Sequence, residues 1–303
     1  VQYFPLFVDT TQLNVLLIGA GDVASRKLEL LSRTQANICV IAIDVAPDIQ
    51  AYADSKRITL LQRAVADEDI ENVDLIYLAT ANEALNARLA HLATAQGRWV
   101  NVVDSPELCR FITPSIIDRG RLQIAISTGG AAPIFARELR SRLESWLPYS
   151  LTSLFDFVAE RRKEVQQRLV SFKERKLFWE HFFKANGDKF DDNTAQCYED
   201  SFLNLISDGD ILLIDDKTPI TLLPIAAMPL LQKLDHIFAD QTLPLALNEL
   251  VRRDATRSAL TATSDLTVLL EKGARNLIYA DKETILQLKA DLPMAKYLTA
   301  GSL

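Results

Sequence analysis

Residues 14–22, Asn-Val-Leu-Leu-Ile-Gly-Ala-Gly-Asp, run four apolar residues straight into Gly19-Ala20-Gly21, and helix-forming sequence follows. A strand, a tight glycine turn and a helix start in that order constrain the chain to a βαβ unit. Gly19 permits the turn and Gly21 lets a pyrophosphate approach the backbone. The N–H groups of Asp22 and Val23 open a helix whose positive end favours an anion. Ala24 stands where a third glycine is usual, and its methyl still lets helix and strand pack. The alternative is a tight turn that holds no phosphate.

The same rhythm continues for a hundred residues. Strands are expected at 15–18, 38–43, 58–62, 75–79 and 99–103, with helices at 23–32, 47–53 and 84–95. The strands are continuous apolar runs, as in a parallel sheet covered on both faces. The fold class is therefore α/β, with a doubly wound, Rossmann-like parallel sheet. Its ligand belongs at the carboxyl ends of the strands. Gly19, Gly21, Asp22, Val23, Ile43, Asp44 and Thr80 are the expected dinucleotide contacts, and Asp104 falls at the same edge. Asp44 lies 25 positions after Gly19, near where an acid meets the adenosine ribose, which favours NAD over NADP. Its other reading is an N-cap for the helix after Pro47.

Composition narrows the class. The net charge of −7 argues against nucleic-acid affinity but not against a local basic pocket for an acidic substrate. No apolar run reaches the length that spans a bilayer, and no signal-like start precedes the first strand, so a cytoplasmic protein without membrane contact is expected. Cys39, Cys109 and Cys197 are scattered and read as free thiols, and His91, His181 and His236 are isolated, so no metal site is expected.

Beyond Phe111 a hairpin is expected from Ile112–Ile117 through Asp118-Arg119-Gly120 to Leu122–Ile126, leading to Ser127-Thr128-Gly129-Gly130. A helix after Pro133 carries Arg137, Arg140 and Arg142, either as a solvated face or as a patch for carboxylates. Residues 151–185 read as a helical region with Phe155, Val158, Val165, Leu169 and Phe172 on one stripe. Residues 186–200 read as a linker, and a small α/β domain closes the chain.

With the glycine turn, Asn101-Val102-Val103-Asp104, Pro114-Ser115-Ile116-Ile117-Asp118-Arg119 and Ser127-Thr128-Gly129-Gly130 in order, the chain resembles the sirohaem synthase family. The likeness is to its precorrin-2 dehydrogenase and sirohydrochlorin ferrochelatase module, from Phe4-Pro5-Leu6-Phe7 through Arg175-Lys176-Leu177-Phe178-Trp179-Glu180. It implies an NAD-dependent oxidation of precorrin-2 to sirohydrochlorin, then insertion of Fe²⁺ as substrate, by a homodimer with an exchanged central segment. It also implies that one aspartate, here Asp104, serves both reactions. Thr128 matches a serine that is phosphorylated in some relatives.

The chemistry fits a carboxylate independently. Oxidising the ring releases a proton along with a hydride, and inserting Fe²⁺ removes two pyrrole N–H protons, which a base over the ring could receive. Asp104 could instead cap the turn before Pro106. A polycarboxylate substrate would favour guanidinium partners, for which Arg119, Arg121 and Arg137 are candidates, with Thr128 beside them. Dimer salt bridges would explain the arginines equally well.

The last third resembles the methyltransferase domain that follows this module in many sirohaem synthases, through Leu247-Asn248-Glu249-Leu250-Val251-Arg252-Arg253-Asp254-Ala255 and a first strand at Ile211–Ile214. That strand runs into Asp215-Asp216-Lys217-Thr218-Pro219 where the family has a glycine-rich turn. The expected organisation is residues 1–112, NAD-binding; 113–148, dimerisation; 149–205, helices and linker; and 206–303, a shortened and inactive methyltransferase-like domain. Two other functions stay open: a dehydrogenase without chelatase activity, and a non-catalytic NAD-sensing regulator.

Overall fold

The computed structural model describes residues 2–203, 205 and 209–301. The chain divides into two compact units, Val1–Leu147 and Pro148–Leu303. The boundary expected at residue 206 lies outside the described residues.

The first unit is built on β1 (Asn14–Ile18), α1 (Asp22–Ser32), β2 (Asn37–Ala42), α2 (Pro47–Asp54), β3 (Thr59–Gln62), β4 (Leu75–Leu78), α3 (Glu83–Ala95) and β5 (Trp99–Val102). All pairings are parallel and the order is β3-β2-β1-β4-β5. The unbroken apolar strands serve two cores because side chains alternate across the sheet. Val15 and Leu17 pack with Ala24 and Leu28 of α1 and Ile49 of α2. Leu16 and Ile18 pack with Leu89, Ala90 and Ala93 of α3. Each large side chain so buried contributes on the order of 2 kcal/mol.

After β5 the direction changes. β6 (Ser115–Arg119) and β7 (Leu122–Ile126) form an antiparallel hairpin that begins later than residue 112. Its turn is closed by the Gly120 N–H donating to Asp118 Oδ1 at 2.9 Å. Helix α4 (Pro133–Trp146) follows, with Pro133 at its first turn, where a missing N–H costs nothing.

In the second unit the helical region is two helices, α5 (Leu151–Arg168) and α6 (Phe172–Asn186). The break falls where Glu174 Oε2 accepts from the Ser171 N–H at 3.3 Å, a new helix start. The break resets the helical period, so the buried face of α5 is Leu151, Leu154, Phe157 and Val165, and Phe172 is exposed instead of continuing the expected stripe. The linker expectation for 186–200 is also corrected. Helix α7 (Thr194–Asp200) buries Tyr198 against Phe157, Phe178, Phe182 and Phe202, with ring centroids 5.3 to 6.3 Å apart. One aromatic at the right phase outweighs the breaker-rich composition around it.

A second parallel sheet follows, from β8 (Asp210–Asp215), α8 (Met228–Leu231), β9 (His236–Ala239), α9 (Leu245–Leu250), β10 (Thr256–Ser258), α10 (Thr263–Glu271), β11 (Arg275–Ala280), α11 (Lys282–Asp291) and β12 (Lys296–Tyr297). Its order is β10-β9-β11-β8-β12. The apolar run Val268–Leu270 belongs to α10. Among the described residues no helix is long and apolar enough to cross a membrane, and no group of three or more His, Cys, Asp or Glu could hold a metal ion.

At the end of β8, Asp215 is only 4% exposed. Its carboxylate accepts from the Lys217 N–H at 2.7 Å, from Thr218 Oγ1 at 2.9 Å and from the Tyr297 hydroxyl. Burial presses the acid toward its neutral form, but these hydrogen bonds outweigh it and hold Asp215 below the usual carboxylate range. The carboxylate in turn pushes the Tyr297 phenol up to about 12. Because the folded-state value of Asp215 is lowered, its stabilising contribution is complete above the ordinary carboxylate range and fades as pH falls through the folded value. Asp215→Asn is expected to lower unfolding free energy by about 1–3 kcal/mol at neutral pH. Denaturant titrations should show the gap to the parent chain closing below about pH 4. A gap that stays constant with pH would show that shape rather than charge holds this turn.

Candidate functional site at the carboxyl edge of the first sheet

Ile18 stands level with Ile41 of β2 and Leu78 of β4, and Leu78 stands level with Val102 of β5. One to three residues beyond this row come Gly19, Ile43, Asp44, Thr80 and Asp104, which the register therefore gathers along one edge. The strand order reverses between β1 and β4, so a crevice opens there.

The two glycines of the turn do different work. Gly19 has φ +106°, and a Cβ on it would lie 2.4 Å from the Ala79 carbonyl oxygen. It is needed by the protein itself, where the β1 turn touches the end of β4. Gly21 is the N-cap of α1 with extended backbone, and a Cβ there would meet nothing within 4 Å. No side chain caps α1, so the Asp22 and Val23 N–H groups are uncapped beside a glycine whose added Cβ would meet nothing within 4 Å. Uncapped donors at the positive end of an 11-residue helix are what a pyrophosphate would bind. Ala24 is fully buried, which accounts for a small residue in third place.

The neighbouring loops are tied to this turn. The Ala46 N–H donates to the Ala20 carbonyl at 3.0 Å, which holds the β2–α2 loop against it. Asp44 and Ile43 are exposed on that loop. The N-cap of α2 is Ala46 with no side-chain cap, so Asp44 does not serve as the helix cap. Thr80 is fixed by Asn86: its hydroxyl lies 2.7 Å from Asn86 Oδ1, and Asn86 Nδ2 donates to the Thr80 carbonyl at 2.9 Å. Asn82 caps α3 by accepting from the Leu85 N–H at 2.9 Å.

Asp104 is exposed in the turn after β5 and has φ +59°, one of two non-glycine residues with positive φ among the described residues, the other being Lys56. Left-handed backbone costs an L-residue about 1–2 kcal/mol, somewhat less for aspartate. The surroundings hold the turn in place. Cys109 Sγ accepts from the Val102 N–H at 3.1 Å, and its S–H reaches the carbonyls of Val102 and Ser105 at 3.2 and 3.3 Å. Asn101 Nδ2 donates to the Phe111 carbonyl at 3.0 Å. The N-cap of the short turn at Pro106–Leu108 is Ser105 with no side-chain cap, and the Asp104 carboxylate has no hydrogen-bond partner among the described residues. It is not the turn cap of the alternative reading. A strained residue with a free carboxylate, held by its neighbours, is the pattern of a functional position.

The arginine candidates separate. Arg119 is buried at 5% exposure and donates to the carbonyls of Asp118, Glu144 and Leu147. It closes the C-terminus of α4, and its guanidinium is engaged within the fold. Arg121 and Arg137 are exposed, on the hairpin and on α4. Thr128 Oγ1 accepts from the Ala132 N–H at 3.0 Å and so prepares the start of α4.

One further group stands near this edge without a sequence motif to mark it. Lys27, on α1, is half-buried with Nζ 3.3 Å from Thr113 Oγ1 and 5.7 Å from the centroid of the Tyr77 ring. Burial pushes its ammonium below the ordinary lysine range. A lysine on an inward helical position shortly after the glycine turn was the available signal.

Comparison with known proteins gives three family matches along the chain. Residues 6–115 match the family described as "Putative NAD(P)-binding", residues 119–145 "Sirohaem biosynthesis protein central" and residues 150–189 "Sirohaem synthase dimerisation region". The chain is 38% identical over 271 residues to "Siroheme synthase" of Pseudoalteromonas atlantica, covering 85% of this chain and 58% of that protein. It is 34% identical over 267 residues to that of Nitrosococcus oceani, covering 85% and 57%. It is 33% identical over 300 residues to that of Mannheimia succiniciproducens, covering 97% and 61%. The chain thus spans somewhat over half the length of these relatives. The solved structure of "SirC, precorrin-2 dehydrogenase" superposes with a TM-score of 0.56 at 22% identity, covering 66% of this chain and 98% of that one, a likeness of fold. With three family matches in chain order and relatives that run on into the second sheet, the chain is similar to sirohaem synthases across both of its units.

Proposed function

We propose that this chain oxidises precorrin-2 to sirohydrochlorin with NAD⁺ and then inserts Fe²⁺ to give sirohaem, as a cytoplasmic homodimer. The observation that carries the reading is Asp104: a strained, unpartnered carboxylate two strands from a glycine turn whose helix donors are uncapped. Two strand spacings put it about 10 Å from the turn across the sheet. A nicotinamide reaching from a pyrophosphate at α1 would come over that interval.

The residues at the edge fit a dinucleotide. Gly21, Asp22 and Val23 would hold the pyrophosphate through backbone N–H groups, and Asp44 would accept from a ribose hydroxyl, which selects NAD. Ile43 and Thr80 would line the same crevice. When bound, oxidised NAD supplies the hydride acceptor. Asp104 receives the proton that leaves the ring carbon, and later the pyrrole N–H protons displaced by Fe²⁺. Arg121 and Arg137 are the exposed guanidinium groups for substrate carboxylates. The hairpin, α4 and residues 150–189 would form the dimer. Methyl transfer is not assigned to the second sheet: where a glycine-rich turn would admit a cofactor, the Asp215 carboxylate already occupies the donors of its own loop.

Two pairs of variants test this. Gly19→Ala should destabilise the chain by more than about 2 kcal/mol through backbone strain and overlap with Ala79. Gly21→Asp should fold normally yet lose NAD⁺ binding by calorimetry. Unchanged affinity in folded Gly21→Asp would remove the dinucleotide from this turn.

Asp104→Asn keeps the outline but cannot take a proton, so NADH formation and Fe²⁺ insertion should both fall by at least about a hundredfold. Asp104→Gly relieves the left-handed strain, so it should be inactive but more stable by up to about 1 kcal/mol. Loss of only one activity would break the shared-base assignment. Full activity in both variants would end it.

A further inference from the structure

Asn86, the fourth residue of α3, is only 5% exposed, on the buried side of the helix with Leu89, Ala90 and Ala93. Asparagine forms helix less readily than leucine, and a buried amide is unfavourable unless it is hydrogen-bonded. The start of the helix does not need it, because Asn82 already caps α3. Its amide is directed instead at a single residue outside the helix. Nδ2 donates to the Thr80 carbonyl at 2.9 Å, and Oδ1 accepts from the Thr80 hydroxyl at 2.7 Å. Two bonds from one planar amide fix both the backbone and the side chain of that residue.

Thr80 stands where the strand order reverses. The Ala79 N–H before it donates to the Ile18 carbonyl at 2.8 Å, and the Thr80 nitrogen lies 3.1 Å from the place a Cβ on Gly19 would take. The β4–α3 loop therefore begins pressed against the glycine turn. The Thr80 hydroxyl is occupied inside this loop: its hydrogen goes to Asn86, and its oxygen accepts from the Asn82 N–H at 3.2 Å. The backbone is not occupied. The N–H groups of Thr80 and Ala81 donate to no partner among the described residues. Thr80 is half-buried, and a half-buried N–H without a protein partner leaves room for an acceptor from outside the fold.

We propose that Asn86 is a positioning residue for the dinucleotide: it locks the β4–α3 loop so that Thr80 and Ala81 offer their backbone N–H groups to the crevice, while the Thr80 hydroxyl serves the loop and not the ligand. This role rests on the NAD⁺ site proposed above at the glycine turn. A loop ordered in advance lowers the ordering cost of binding, so Asn86 acts on affinity. Asp104 stands at the end of another strand and shares no hydrogen bond with Asn86, so proton transfer in the loaded enzyme is little affected.

NAD⁺ titration of the full chain by calorimetry is the test. Asn86→Leu keeps roughly the same side-chain shape and removes both bonds, so Kd should rise by about tenfold or more. KM for NAD⁺ should rise with it, whereas NADH formation from precorrin-2 at saturating NAD⁺ should change by less than about threefold. Thr80→Val removes the hydroxyl alone and should weaken binding in the same direction. The double variant should bind no worse than Asn86→Leu, because both substitutions act through one pair of bonds. Leu89→Ala, a cavity on the same helix, controls for stability: it should lower the thermal midpoint at least as far while leaving Kd unchanged at a temperature where every variant is folded. In amide exchange by NMR, NAD⁺ should protect the Thr80 and Ala81 N–H groups of the parent chain.

Parental affinity in folded Asn86→Leu overturns the positioning role, as do equal rises of Kd in Asn86→Leu and Leu89→Ala. Effects of Thr80→Val and Asn86→Leu that multiply in the double variant would put the Thr80 hydroxyl on the ligand itself and also overturn it, and so would two amides that NAD⁺ leaves unprotected. If Asn86→Leu does not fold, Thr80→Val decides, and parental affinity there ends the proposal. Loss of NAD⁺ binding in Gly21→Asp beside parental affinity in Asn86→Leu would refute the positioning role alone; unchanged affinity in Gly21→Asp would remove the dinucleotide site beneath it.

Discussion

The close approach of Gly19 to the Ala79 carbonyl is the contact on which the first unit depends. It lies where the strand order reverses, so the turn after β1 and the loop after β4 must pass within van der Waals reach while leaving a crevice above them. Only a residue without a Cβ and with access to positive φ can do both. Once that contact is made, the uncapped start of α1, the anchored β2–α2 loop and the Thr80–Asn86 bonds follow as neighbours of one edge.

Asp104 belongs to the same edge but obeys a different logic. The glycine turn is local and cheap, whereas the left-handed aspartate is unfavourable by itself and survives because Cys109, Asn101 and the short turn after it fix the backbone on either side. A free thiol with no redox partner thus acquires a structural purpose. Its sulfur satisfies backbone groups next to the strained residue, which a more strongly hydrated side chain would do less well in a half-buried place.

The second unit shows charge used in two ways. Asp215 and Asp235 are held by hydrogen bonds and ion pairs that outweigh the cost of burial and lower both acids. Along α5 and α6, cations instead stand beside exposed rings. Satisfied groups of the first kind build the fold, whereas those of the second kind lie in the region that matches the dimerisation family.

The sequence by itself determined the doubly wound sheet, the glycine turn, the hairpin and the position of Asp104 at a strand end, because each rests on local chemistry: apolar continuity, glycine's freedom and the periods of strand and helix. The order of four short motifs also carried the family. Tertiary structure decided the rest. Residues 194–200 became a helix because Tyr198 found the rings of Phe157, Phe178 and Phe182 on two other helices. Arg119 became a helix clamp because the carbonyls of Glu144 and Leu147 came to it. Lys27 gained its neighbours, and Asp104 its strain, only from packing. Partners separated by dozens of residues are set by the folded core, and no window of sequence contains both.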